Sequence, residues 1–383
     1  MAAAGAAAAV GADRWVGGEG DEIVLDANGR ETVRFPGTHQ AGIAITPQAH
    51  QSLVALTLHE GTTRGDVRRL LALLTTDAGN LTAGRPALGD SEPEFALVPA
   101  RLTVTFGFGP RLVQIVRGAA EVPTWLGPLP AYPIDRLREE WSGGDLLLQI
   151  ASDDRVTVAH AVRMLVKDTR SFGTVAWHQS GFRRAYGSEP PGTTMRNMLG
   201  QVDGTVNVKP GDAAFAEVVW RDDGWLDGGT TMVVRRIEML QDKWDRLGRR
   251  GRELSVGRTL DVGAPLTGSR EHDEPDFEAN TPVGFPVIPE FAHIRRARSD
   301  DPTQVMFRRS YNYDLGPQGD RASDSGMIFT CFQRDLEHQY LPVQARLAEL
   351  DLLNEWTVPI GSAVFAIPPG IAEGELVGER MFA

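Results

Sequence analysis

Apolar and polar positions along the chain follow two periods. Leu53-Val-Ala-Leu-Thr-Leu58 is a short apolar run of strand length, and Leu102-Thr-Val-Thr-Phe-Gly-Phe108 alternates cleanly. The first reads as a strand, and the second predicts a half-buried one. Asp145-Leu-Leu-Leu-Gln-Ile150 reads as a further strand. From Thr63 to Thr76 the apolar residues recur at helical spacing with arginine on the other side, and Asp153-Asp154 caps a helix from about Arg155 to Val166. His160 falls inside that helix, where packing or a solvent-facing role is expected. Further on, Phe215–Trp220 and Thr231–Ile237 read as strands joined by the Gly-rich turn Asp223–Gly229. Met239 to Gly248 reads as a helix, Met327–Phe332 as an apolar strand, and Pro342 to Leu353 as a helix. Each half thus offers strands flanked by helices, which predicts a duplicated α+β sandwich with mostly antiparallel sheets. The divisions expected are a loose arm over 1–36, one domain over 37–190 and a second over 191–383.

Composition narrows the functional classes. The formal net charge of −12 over 383 residues argues against an extended nucleic-acid footprint. No apolar run approaches the length of a membrane span. The single cysteine, Cys331, excludes a disulfide within the chain, a thiolate zinc site and a Cys-x-x-Cys-His attachment. The small-residue tract from Met1 to Trp15 reads either as a signal-peptide remnant or as a disordered Ala/Gly arm. The expectation is an extracytoplasmic protein exported after folding, with a cytoplasmic location as the alternative. A long, polar and Pro-rich stretch, residues 261–303, has no evident regular structure, and a segment of that length is expected to belong to a functional site.

Three short stretches carry candidate chemistry. Gly200-Gln-Val-Asp203-Gly204 places a carboxylate between glycines, which let the backbone pass close to a large flat ligand. Asn197 and Thr205 add hydrogen-bonding capacity, and a simple Asp-Gly turn is the competing reading. Within the long loop, Glu290-Phe-Ala-His293-Ile-Arg-Arg-Ala-Arg298 sets an imidazole among apolar neighbours with arginines after it. A metal ligand and a partly buried structural histidine both fit. Phe307-Arg308-Arg309-Ser-Tyr-Asn-Tyr313 reads as a strand whose two arginines face opposite ways, one toward a pocket and one toward solvent.

Asn197-Met-Leu-Gly200-Gln-Val-Asp203-Gly204-Thr205 resembles the Gly-x-x-Asp-Gly signature of dye-decolorizing peroxidases, DyP-type haem peroxidases of A-type-like pattern. Ala292-His293-Ile-Arg295 is similar to their proximal histidine segment, and Phe307–Tyr313 to their distal arginine segment. Leu102–Gly109, Gly144–Ile150, Leu226–Thr230 and Gly361–Gly370 extend the likeness over roughly residues 37–380 in the family's order. The resemblance implies an α+β fold of two ferredoxin-like domains with non-covalently held haem b in the C-terminal one, His293 as axial ligand to the iron and Asp203 and Arg308 on the open face. It also implies Asp351 behind the proximal histidine and Met327 and Phe329 as an apolar distal pair. Gly200, Gly204, Arg295 and Arg296 are expected to hold the cofactor. Tyr311, Tyr313, Trp225 and Tyr340 are candidates for a radical relay near the surface, with ordinary packing as the alternative. The implied activity is reduction of hydrogen peroxide through an oxo-ferryl intermediate, with dyes, phenolics or other donors as reducing substrate. A deferrochelatase-like protein releasing iron from haem and a haem-free binding module are the alternatives. An oligomer is compatible with this reading.

Overall fold

The computed structural model describes residues 28–383. The Ala-rich tract read as an arm or signal remnant lies outside the described residues. Four strands form the first sheet: β1 (His50–Leu58), β2 (Thr103–Phe108), β3 (Leu146–Ser152) and β4 (Gly173–Phe182). They run antiparallel in the order β2-β3-β1-β4. Helices α1 (Arg64–Thr82), α2 (Pro110–Arg117) and α3 (Arg155–Thr169) accompany them. A reciprocal capping box between Thr63 and Asp66 starts α1, and Asp154 caps α3 by accepting from the Thr157 amide. These side chains satisfy backbone donors that the first turn leaves free. The apolar stripe Val67, Leu70, Leu71 and Leu74 then joins one core with Val104, Phe106 and Phe108 of β2 and Val54, Leu56 and Leu58 of β1.

The second sheet holds β5 (Thr230–Met239), β6 (Phe307–Arg308), β7 (Tyr311–Asp314), β8 (Ser325–Gln333) and β9 (Thr357–Ile367). β5 lies between β8 and β9, and β6 and β7 both pair with β8. The helices of this half are α4 (Phe215–Val219), α5 (Gln241–Trp244), α6 (Arg249–Val256), α7 (His293–Ala297) and α8 (Leu341–Leu350). Single-residue bridges, Phe108 with Ala366 and Phe182 with Asn312, join the two sheets at both edges. The strands therefore close into a ring, β5-β9-β2-β3-β1-β4-β7-β8 and back to β5. Leu53, Leu147, Trp177, Met232, Val234, Phe332 and Phe365 fill the space between the sheets. Closure removes most exposed edges. No described helix is long and apolar enough to cross a membrane.

Several expected elements differ. Phe215–Trp220 is the short helix α4 rather than a strand. Its apolar residues plug one end of the inter-sheet core, Phe215 edge-on to Phe307 and Trp220 stacked on His39, so tertiary packing overrides the β-preference of the run. The helix read over Met239–Gly248 begins as the end of β5 and breaks into α5 and α6, with Gly248 at the start of α6. β2 is buried at every position instead of half-buried. Helices cover one of its faces and the second sheet covers the other, which alternation within one strand does not reveal.

Between α1 and α3, Asp77 and Asp168 face one another as a buried carboxyl pair. Asp77 also accepts from the Leu88 amide at 2.9 Å. Burial, together with the charge and hydrogen bond of Asp77, pushes the Asp168 carboxyl from 3.8 up to about 7. A carboxyl whose folded value is raised stabilises the fold fully below its unfolded value, and that contribution is lost as pH rises through the folded value. Asp168→Asn is therefore expected to match the parent near pH 4 and to exceed it in melting temperature above pH 7. Melting curves across this range check it; a difference independent of pH would contradict the shared-proton account.

Candidate active site

A cavity of about 810 Å³ lies between the outer face of the second sheet and the helices α7 and α8. Register explains which side chains reach it. Arg235 stands opposite Phe329, Ile237 opposite Met327 and Val233 opposite Cys331, so these residues share one face of β5 and β8. Arg308 is paired with Cys331 and points to that same face. Met327, Phe329, Ile237 and Met239 supply an apolar wall, and Ile294, Ala297 and Leu347 face it from the helices.

His293 opens α7 at the end of the long loop. Its Nδ1 donates to Asp351 Oδ2 at 2.6 Å. Asp351 is buried and fixed in turn, because its other oxygen accepts from the Leu353 amide at 2.9 Å. The turn that carries it is tied to the loop by Leu352 N–H donating to Phe291 O at 3.0 Å. With Nδ1 committed, Nε2 is the ring nitrogen left for a ligand. The side chain lies deep in the protein, yet 31 % of it is open because it borders the cavity. Burial favours the neutral ring, but the charge and hydrogen bond of Asp351 outweigh it and raise the proton affinity above the ordinary histidine value. The same negative charge stabilises any cation at Nε2.

Asp203 and Arg308 meet in the same cavity. Arg308 Nη1 donates to Asp203 Oδ1 at 3.0 Å, while Asn197 Nδ2 donates to Asp203 Oδ2 at 3.3 Å. Both charges act through space on the His293 imidazole, Asp203 raising and Arg308 lowering its proton affinity. Gly204 borders the cavity at φ +129°, a conformation open to glycine, whereas Gly200 (φ +80°) is an exposed turn residue off the cavity wall. The pair is reached by one arginine alone. Arg309 faces the inter-sheet side, where it is buried rather than solvated as expected. It donates to Ile45 O and to Gln48 Oε1, each at 2.6 Å, and so ties the second sheet to the first domain. Burial lowers its pKa to about 10, which leaves it a cation at neutral pH.

Arg295 and Arg296 do not stand on this wall. Arg295 donates to the carbonyls of Phe277 and Ile288, and Arg296 pairs with Glu349 at 2.8 Å. They border a separate recess beside the cavity. The guanidiniums that do line the cavity are Arg235, Arg258 and Arg298 besides Arg308. Arg235 and Arg258 come from distant segments that nothing local in the sequence marks, whereas Arg298 closes the His293 segment itself. Of the proposed relay residues, Tyr340 borders the cavity. Tyr311 and Tyr313 are buried, and burial pushes the Tyr313 hydroxyl up to about 12. Trp225 is half-buried against Phe108. Tyr311, Tyr313 and Tyr340 thus have no surface exposure of the kind expected of a relay terminus. Cys331 is buried and burial raises its thiol, in keeping with an inert core residue.

The first domain closes one end of the cavity. Arg136 and Arg138 amides donate to Pro359 and Ile360 carbonyls, each at 2.9 Å, docking residues 134–138 onto β9. Ile134 then borders the cavity, and Asp135 pairs with the buried Arg235. Burial pushes the Asp135 carboxyl up in spite of Arg235.

Two family models match the chain: "Dyp-type peroxidase, N-terminal" over residues 40–183 and "Dyp-type peroxidase, C-terminal" over 194–372. The chain is 35 % identical over 358 residues to the dye-decolorizing peroxidase of Thermobifida fusca, covering 89 % of this chain and 83 % of that protein. It is 34 % identical over 360 residues to a protein of Escherichia coli named deferrochelatase, covering 88 % of this chain and 84 % of the other. A crystal structure of a DyP-type peroxidase from Cellulomonas bogoriensis superposes with a TM-score of 0.90 at 53 % identity, over 93 % of this chain and 99 % of that one.

Removing one partner of the Asp135–Arg235 pair leaves the other charge buried and unpaired. Asp135→Ala is expected to cost about 3–5 kcal/mol of stability, more than any exposed pair in the protein. Urea unfolding followed by circular dichroism checks this, and a loss below ~1 kcal/mol would show that the pair does not hold this end of the cavity.

Proposed function

The chain belongs to the Dyp-type peroxidase family, of haem-dependent peroxidases, and on that premise we propose that it seats haem b non-covalently in the cavity, reduces hydrogen peroxide there and draws electrons from a reducing substrate. One observation carries the reading. A carboxylate-tethered imidazole, His293 with Asp351, and an acid–guanidinium pair, Asp203 with Arg308, border the same largely apolar cavity.

The residues fit a haem. His293 would hold the iron through Nε2, while Asp351 fixes the ring's orientation and raises its basicity. Met327, Phe329, Ile237 and Leu347 suit an apolar macrocycle, and Arg258, held by the Gly263 and Glu271 carbonyls, and Arg298, paired with Glu274, are cations on the wall that its acidic side chains would meet. When bound, the haem supplies the redox-active iron. The chain's own residues do the rest. Asp203 would take a proton from one peroxide oxygen and return one to the other as it leaves, directly or through water. Arg308 stabilises negative charge growing on the departing oxygen, a task suited to a fixed, always-charged donor. Its contact with Asp203 keeps both groups aimed at one point. Met327 and Phe329 limit water at that point, which strengthens both electrostatic effects.

A haem-handling role is the second reading, favoured by the similarity to the Escherichia coli protein named deferrochelatase. Steady-state oxidation of a phenol or an anthraquinone dye with peroxide separates the two, because haem handling requires no donor turnover. A haem-free module would give no Soret band with hemin.

Asp203→Ala and Arg308→Ala are each expected to retain haem while the peroxide-driven change in the Soret band slows by about 10²–10³-fold. Stopped-flow absorption measures it, and unchanged rates in both would remove the pair from the chemistry. Asp351→Asn is expected to weaken haem retention by about 10–100-fold, read as haem transfer to excess apomyoglobin. An unchanged transfer rate would mean that the carboxylate does not orient the ring.

A further inference from the structure

Arg308 sits on β6, a strand of two residues that pairs with β8 along one edge. The Arg309 amide donates to Thr330 O across that edge at 2.8 Å, so the peptide groups of Arg308 itself point the other way. Such a short strand fixes the aim of its side chain poorly unless its free edge is also held. The side chain of Asn207 holds it. Asn207 Oδ1 accepts from the Arg308 amide at 2.7 Å, and Asn207 Nδ2 donates to the Arg308 carbonyl at 2.7 Å. One carboxamide thereby satisfies both backbone groups of one residue, as a neighbouring strand would. Asn207 is half-buried and is not among the residues that line the cavity.

The clamp also sets the geometry of the pair. Asn207 belongs to the loop that carries Asp203, and its amide donates to Gly204 O at 3.0 Å, folding the segment into a turn. The Arg308 guanidinium then reaches back to Asp203 at 3.0 Å. Backbone turn, carboxamide clamp, arginine side chain and carboxylate form one closed loop of contacts. We propose that Asn207 is the positioning residue of the peroxide site, which registers the Asp203 loop against β6 so that the acid and the guanidinium converge. The proposal rests on the reading of Asp203 and Arg308 as the groups that act on peroxide. Only a carboxamide of this length meets the requirement. Alanine offers neither donor nor acceptor, and an aspartate at this position offers no donor and sets a negative oxygen against the Arg308 carbonyl.

The test compares Asn207→Ala, Asn207→Asp and Arg308→Ala in the haem-loaded protein. Asn207→Ala and Asn207→Asp are expected to keep haem occupancy and the donor-dependent step at parent levels. The second-order rate constant for peroxide falls by about 10–100-fold in both, the scale seen when supporting groups are removed from a reacting centre. Amide hydrogen exchange read at Arg308 gives a second measurement independent of turnover: protection falls in Asn207→Ala, which offers the Arg308 amide no acceptor. A merely structural role would lower haem occupancy and both kinetic steps together and would leave no selective loss. If Arg308→Ala is slow while both Asn207 variants keep the parent rate and Asn207→Ala keeps Arg308 protection, the clamp is overturned and the pair's role stands. If Arg308→Ala itself reacts with peroxide at the parent rate, the reading of the pair fails, and the positioning role fails with it.

Discussion

Successive residues on a strand project to opposite faces, and at Arg308 and Arg309 this pleat divides two cations between two environments. Arg308 enters the cavity and meets Asp203 at 3.0 Å. Arg309 enters the space behind the sheet and holds Gln48 and the Ile45 carbonyl of the first domain. A slip of one residue in β6 would exchange these roles, taking the guanidinium away from Asp203 and leaving the joint between the sheets without its cation. The site chemistry and the union of the domains therefore rest on the same register, with β6 held by β8 on one edge and Asn207 on the other.

On the opposite wall the constraint is a single short hydrogen bond. The loop over residues 261–303 has little regular structure, yet His293 within it is held by Asp351 through Nδ1. Asp351 in turn is fixed by its own turn. Orientation thus passes from a helix end through a carboxylate to the imidazole, and leaves one nitrogen directed away from that chain of support. The first domain contributes to the cavity through Ile134 and the buried Asp135–Arg235 pair, so the cavity is enclosed only when both halves are assembled.

Much of this was legible in the chain. The spacing around α1 and α3, their caps and most strands follow from local pattern, because each of these elements buries one stripe or one face. Asp203, His293, Arg308 and Asp351 were found through motif resemblance, and the structure brings all four to one cavity. What local pattern does not carry is the identity of the second covering layer. For that reason β2 looked half-exposed, Phe215–Trp220 looked like a strand, and Arg309 looked solvated. Arg295 and Arg296 drew notice by adjacency to His293, but helix geometry turns them toward backbone carbonyls and Glu349. Arg235, Arg258 and Asn207 escaped notice because their significance depends on partners far away in sequence.

The most direct test is a titration of the apoprotein with hemin, followed by absorption and by electron paramagnetic resonance, in the parent and in His293→Ala. The account predicts a saturable Soret band with a one-to-one end point and a ferric signal carrying a single axial nitrogen, which the alanine variant loses. A parent protein that shows no saturable band, or an alanine variant with the parent's axial-nitrogen signature, would contradict it.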